Sequence, residues 1–354
     1  MCTDFLLQAA DNSLVVGRSM EFGENLGSRI LVGGRGTNKQ SSAPDSPKGG
    51  LSWTAKYGYV GLNVAGLGPE FEHVIADGMN ENGLSIGALW LPRFTAYSPT
   101  VNDNAQALLV TDFANWVLGN FATVGEVDEG LKHVQIWGDS WLGANIPMHF
   151  SIHDASGISI VIEFLADYPQ GLRQSNTVGV LTNAPPFAWQ LINIRNYVGL
   201  SSLDAQPITI GGISYPPPGH GSGMRGVPGD STPPSRFIRI LFQKQFATQP
   251  ANNADAVSLA LHLLNTVDIP LGTSAAQQEQ NPSKGKDDYT QWVVVKALTA
   301  RTFSYRTAGN PTLMQINFAE LDLDNACEEA FPMPNEATHI NITEQLSHVK
   351  AGSR

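Results

Sequence analysis

A chain of 354 residues, 42% of them hydrophobic, can bury a sizeable core, and 35 Gly with 22 Pro at only 15% charge suit a β-rich protein with many turns. A formal net charge of −11 without a Lys- or Arg-rich run argues against nucleic acid as a partner, because phosphate binding needs a basic stripe; the acidity reads as solubility. No apolar run is long enough to span a bilayer.

The chain opens on MCTDFLLQAADNSLVVGRSMEF. Removal of Met1 would leave Cys2 with a free α-amine and a thiol on one residue. Residues 3–9 read as a strand, Asp11-Asn12 as a turn and residues 14–20 as the return strand. Folding that hairpin would bring Arg18 and Glu21 back beside Cys2. A thiol needs a base to become the stronger thiolate nucleophile. An α-amine, with an ordinary pKa of about 7.7–8.0, can take a proton near neutral pH without a histidine. One residue would then supply nucleophile and base. Met-Cys alone is also what an ordinary frayed terminus looks like; the later segments decide between the two.

Residues 23–56 form a Gly/Ser/Pro-rich excursion over the surface, followed by strand character at 57–65. Residues 77–83, Asp-Gly-Met-Asn-Glu-Asn-Gly, have turn chemistry, and 84–91 read as a strand stopped by Pro92. Helices are expected over 112–121 and 123–133, the second opened by a Thr123/Glu126 capping box. Residues 148–164 read as two strands joined at 154–157, and 178–182 as a short one. Helices follow at 185–197, 234–247 and 254–266, separated by a Gly/Pro-rich excursion at 207–233. Strands at 291–300, 302–306 and 312–322 close the chain. No repeat or linker divides it, so one α+β domain with largely antiparallel sheets is expected over 1–354, with 351–354 (Ala-Gly-Ser-Arg) reading as a vector-derived tail.

Several motifs carry little. Residues 221–226 match G-x-G-x-x-G but follow a proline run, and Pro228 blocks the expected helix. His149 and His153 have i, i+4 spacing, yet they lie in a strand pattern with no evident third ligand, so no metal site is assigned. Residues 341–343 fit a glycosylation triplet of a kind common by chance. Cys327, the second of two cysteines, reads as a structural thiol and not as a disulfide partner for Cys2.

Taken in order, several segments together resemble the choloylglycine hydrolase family of N-terminal-nucleophile amidases, which includes penicillin V acylases and conjugated bile salt hydrolases. They are Cys2-Thr3 with residues 17–21, residues 77–84, residues 147–150 with 158–164, Thr182-Asn183-Ala184-Pro185, residues 228–230 with Ser235-Arg236-Phe237, and residues 290–292 with 305–307. The resemblance implies an αββα sandwich of two antiparallel sheets between helical layers, with no cofactor. It implies Cys2 as nucleophile on a linear amide, Arg18 beside the thiol, Asn183 as oxyanion donor and Arg236 steadying the arrangement. Glu21 stands where the family usually carries Asp. The resemblance also implies a small N-acyl amide as substrate and a homo-oligomer, a homotetramer. The compartment is periplasmic if a signal peptide was removed and cytoplasmic otherwise.

Bile salt hydrolases usually have Asn where this chain has Trp90, and Trp there resembles the Gram-negative branch. An indole trades a compact amide for a large apolar wall, which Phe22 would extend. The expected activity is therefore a penicillin V or acyl-homoserine-lactone acylase, ahead of a conjugated bile salt hydrolase. A ceramidase-like lipid amidase and a non-catalytic small-molecule binding protein on the same fold are the other readings.

Overall fold

The structure is a computed structural model, and it describes residues 1–44, 46–138, 140–141, 144–275, 287–326 and 328–343. Cys327 and the 351–354 tail lie outside the described residues.

Strands Cys2–Gln8 and Leu14–Phe22 pair antiparallel, with Cys2 opposite Met20 and Asp4 opposite Arg18. The turn closes through an Ala9 N–Ser13 O hydrogen bond and a left-handed Asn12 (φ 67°), a conformation that Asn tolerates. The hairpin lies inside a six-stranded sheet. Its order runs Val180–Leu181, Cys2–Gln8, Leu14–Phe22, Tyr289–Ala297, Thr302–Thr307 and Met314–Asn317, every pairing antiparallel.

A second, eight-stranded antiparallel sheet is stacked on it. Its order is Tyr168–Ser175, Ser159–Leu165, Met148–His153, Ser85–Trp90, Ile75–Asn80, Tyr59–Asn63, Arg29–Gly33 and Glu329–Pro332. Helices Pro233–Phe246 and Asn253–Asn265 cover the outer face of the first sheet, where Phe237, Ile240, Ala260 and Leu264 share a core with Phe5, Val15 and Val293. Helices Phe113–Asn120 and Val124–Gly130 cover the second sheet, with Phe113, Val117 and Val124 against Ile86, Phe150 and Ile162. The result is the four-layer αββα sandwich. Among the described residues no helix is long and apolar enough to cross a membrane.

Three expectations change. Residues 77–80 are not turn but strand, within Ile75–Asn80, and only the segment after Asn80 turns back. Asp, Gly and Asn are turn formers in isolation, but here neighbouring strands satisfy their backbone on both sides. The 23–56 excursion contains the sheet strand Arg29–Gly33 and a small hairpin, Asn38–Gln40 with Ser52–Thr54. The closing strand 312–322 contracts to Met314–Asn317 before a 3₁₀ turn. Strand Tyr168–Ser175, which lies at the edge of the second sheet with an alternating half-exposed pattern, was not anticipated. The capping box is half formed: Thr123 Oγ1 accepts from Glu126 N at 3.2 Å, while the Glu126 carboxylate accepts from Ala122 N.

Candidate active site

Strand alternation decides which side chains meet. Successive residues point to opposite faces, so Cys2 and Asp4 share a face with their cross-strand partners Met20 and Arg18. That face looks into the gap between the sheets. The Arg18 guanidinium is wholly buried, with Nη2 3.5 Å from Cys2 Sγ and also donating to Ala88 O of the opposite sheet. Its Cζ lies 5.3 Å from the centre of the Trp292 ring, a cation–π contact from the next strand. The Met20 thioether is 3.6 Å from Cys2 Sγ.

Glu21 is three residues from Arg18, an odd step, and its buried carboxylate belongs to the other face. Its Oε1 accepts from Thr290 Oγ1 at 3.1 Å and its Oε2 lies 3.7 Å from Arg236 Nη1. Burial pushes the Glu21 carboxyl above the usual carboxylate range, against the pull of Arg236 and of the amino terminus.

Arg236 stands in the first turn of Pro233–Phe246, a helix that opens on two prolines suited to its fixed φ. Asp230 anchors that start. It accepts from Thr232 Oγ1 at 2.5 Å, from Ser235 Oγ at 2.7 Å and from Thr232 N at 2.9 Å, contacts that hold its carboxyl down at about 2. Arg236 is fully buried and reaches back through the sheet. Nη1 donates to Cys2 O at 2.6 Å and to Thr3 Oγ1, Nη2 donates to Asn183 Oδ1 at 2.9 Å, and Nε donates to Ser231 O at 3.0 Å.

Asn183 follows the short strand Val180–Leu181 at the edge of the first sheet. Its Oδ1 accepts from Cys2 N at 2.5 Å, and its Nδ2 donates to Trp90 O at 2.8 Å. The amide thus holds the nitrogen that would become the α-amine if Met1 were removed. One of its two N–H bonds is committed to Trp90 O.

Cys2, Met20, Phe22 and Trp90 line one pocket with Leu26, Val64, Leu67, Phe71, Val74, Ala76, Ala88, Leu89, Ile146 and Met148. Its empty volume, counted to the open mouth, is about 580 Å³. Apart from the thiol, every lining side chain is a hydrocarbon, an aromatic ring or a thioether. Phe22 and Trp90 meet edge to face, centroids 5.6 Å apart at 75°.

The seven residues singled out in the sequence therefore gather around Cys2, with Arg18, Phe22 and Trp90 toward the inter-sheet gap and Glu21 and Arg236 meeting on the other face of the first sheet. Sequence reasoning missed Thr290, Trp292 and a buried charge cluster beneath Arg18 formed by Asp4, Asp77, His153 and Lys296. Lys296 had a readable signal, a single charge inside the β-branched run Trp292–Val295 and Ala297–Leu298. The two histidines of the i, i+4 pair are spent on carboxylates: His149 Nδ1 is 3.1 Å from Glu163 Oε1, and His153 Nε2 is 2.7 Å from Asp4 Oδ1. Among the described residues no group of three or more His, Cys, Asp or Glu could hold a metal ion.

Two antiparallel sheets between helical layers, with the first strand's leading residue buried against both, define the N-terminal-nucleophile hydrolase fold. The chain belongs to the choloylglycine hydrolase family of linear amide C–N hydrolases, whose family model matches residues 2–331. It is 32% identical to a bile salt hydrolase/transferase from Clostridium perfringens, over 92% of this chain and 94% of that one. It is 26% identical to a penicillin V acylase from Pectobacterium atrosepticum, over 90% and 82%. A C2A variant of the conjugated bile acid hydrolase from Clostridium perfringens superposes with a TM-score of 0.84 at 28% identity, covering 97% of this chain and 100% of that one.

Proposed function

We propose that this linear amide hydrolase uses Cys2 to cleave conjugated bile salts. The sequence had put penicillin V and acyl-homoserine lactones first; the greater likeness to bile salt hydrolases favours the reverse order. The observation that carries the reading is the apolar pocket opening on Cys2 Sγ. A rigid steroid offers the broad apolar faces that such a wall buries.

In this reading the thiol passes its proton to the freed α-amine and attacks the amide carbonyl. The Asn183 N–H and the buried cations stabilise the oxyanion. The α-amine returns the proton to the leaving amine, a thioester remains on Cys2, and water activated by the same amine releases the acid. Arg18, Glu21 and Arg236 hold the charges and geometry that this shuttle needs. The same proposal keeps one domain over the chain and a homo-oligomer. The apolar hairpin Ile208–Ile210 and Ile213–Tyr215, exposed on every residue, supports self-association, and sedimentation tests it.

The lining makes a specific demand. Its side chains offer a buried steroid hydroxyl no strong acceptor, the Trp90 indole N–H being a donor alone, and each hydroxyl left unpaired costs roughly 1–3 kcal/mol. Glycodeoxycholate is therefore expected to exceed glycocholate in kcat/KM by about 5–150-fold. A second reading, an aryloxyacyl substrate such as penicillin V, is favoured by the Phe22–Trp90 wall. Steady-state kcat/KM for both bile salts and penicillin V decides between them. Glycodeoxycholate should lead. Trp90→Asn should weaken both penicillin V and glycodeoxycholate, each by at most on the order of 3 kcal/mol through lost apolar contact. A wild-type preference for penicillin V overturns the proposal, and absence of all turnover returns the binding-protein reading.

A further inference from the structure

Beneath the thiol the interior of the sandwich is charged. Asp77 is wholly buried in strand Ile75–Asn80 and stands between two cations of the opposite sheet. Lys296 Nζ is 2.8 Å from its carboxylate, and Arg18 Nη1 is 3.5 Å from Oδ2. Arg18 presents its other nitrogen, Nη2, to Cys2 Sγ at 3.5 Å. Lysine, carboxylate, guanidinium and thiol thus form one line. Gly87 makes room for it: a Cβ there would lie 3.2 Å from Arg18 Cδ and Nε and 3.3 Å from Asp4 Oδ2.

Coulomb interactions in such a site are weakly screened. Arg18 serves two anions, Asp77 and the thiolate, and what one takes is lost to the other. Lys296 is nearer to Asp77 than Arg18 is, so it offsets the carboxylate and leaves the guanidinium's charge for sulfur. We infer that Lys296 and Asp77 are positioning residues which set how much of the Arg18 charge reaches Cys2, Lys296 by sequestering Asp77. The inference rests on Cys2 being the nucleophile.

The sign of each substitution follows. Lys296→Met leaves Asp77 uncompensated and disfavours the thiolate. Asp77→Asn leaves Lys296 uncompensated and favours it. The double substitution restores the wild-type charge. The readout is the alkylation rate of Cys2 by neutral iodoacetamide, located by peptide mass spectrometry, in protein lacking Met1. Besides the freed α-amine, the charged groups gathered near Cys2 include Arg18, Asp4, Glu21, Arg236, Asp77, Lys296 and His153, and only Asp77 and Lys296 change.

Near pH 7, Lys296→Met should slow alkylation on the order of 10-fold, the effect of one unit in thiol ionisation, and Asp77→Asn should speed it several-fold. The double variant should return to within about 3-fold of wild type. Near pH 10 all rates should converge, because a fully ionised thiol no longer senses the difference. Lost packing would instead slow both single variants, make the double variant worst, and leave the rates apart at high pH. Either that pattern or single variants that shift together overturns the inference. Burial pushes the Asp77 carboxyl up while Lys296 and then Arg18 pull it back, so Asp77→Asn also reads its charge. An unchanged rate there means a neutral carboxyl and is equally fatal. Should Lys296→Met fail to fold, Asp77→Asn and the charge-balanced double variant still give the comparison. If alkylated Cys2 protein turns over normally, the nucleophile assignment falls instead, whatever the rates show.

Discussion

Protein that retains Met1 should hydrolyse no amide, and activity should rise in proportion to the processed fraction. With Met1 present the chain continues the ladder by one residue. Glu21 N donates to Met1 O at 2.8 Å, the Met1 amine donates to Glu21 O, and Asp288 Oδ2 lies 3.9 Å from that amine. The Cys2 nitrogen is then a peptide N–H aimed at Asn183 Oδ1, with no lone pair to receive a proton. Thiol and Arg18 are already in place, so what is absent is the base. Intact mass and turnover, measured on fractions with different Met1 content, test this directly. Cys2→Ala in processed protein should lose turnover on the order of 10⁴–10⁶-fold, as removal of a nucleophile does elsewhere, while keeping its melting temperature. Full activity in unprocessed protein would rule out the α-amine as base.

Arg236→Met should damage stability and turnover together. The guanidinium spans Cys2 O, Thr3 Oγ1, Asn183 Oδ1 and Ser231 O and faces the Glu21 carboxylate. Methionine fills the stem's volume and leaves that carboxylate buried without its cation. Breaking a buried pair in this way costs about 3–5 kcal/mol, which urea unfolding reads as a lower midpoint with an unchanged slope. Asn183 and the Cys2 backbone lose a shared anchor, and misplacement by about 1 Å costs on the order of 100-fold in turnover. Arg236→Lys should recover stability before activity, because one ammonium cannot serve the separated acceptors of a planar fork. A variant with normal kcat and raised KM would place Arg236 in substrate binding.

The hairpin around Cys2 was legible because two strand-like runs flank an Asp-Asn turn. Parity in its register also separates Arg18 from Glu21, a consequence that the expectation of both returning beside the thiol overlooked. The segment 77–80 was misread for a physical reason. Asp77 takes strand conformation because strands on both sides pair with it, and its buried carboxylate is met by Lys296, 219 positions away in the chain. Local propensity carries no trace of such a partner. Trp90 and Phe22 were read as one wall from the family resemblance and from residue type, and their edge-to-face contact arises because the two sheets bring separate strand ends together.

Gly87 gives the site a graded control that no polar residue offers. It belongs to the sheet opposite Arg18, yet its missing side chain is what the guanidinium stem occupies. A methyl group at that point must be accommodated by a shift of a few tenths of an ångström, and the mobile partner is the long arginine. Gly87→Ala is thus an attenuator. It presses on the Arg18 stem and the Asp4 carboxylate without deleting any hydrogen-bonding group, so catalysis should decline by degrees where Cys2→Ala ends it. Larger residues at 87 extend the same scale, and a family of enzymes with matched pockets but different turnover follows from a single position.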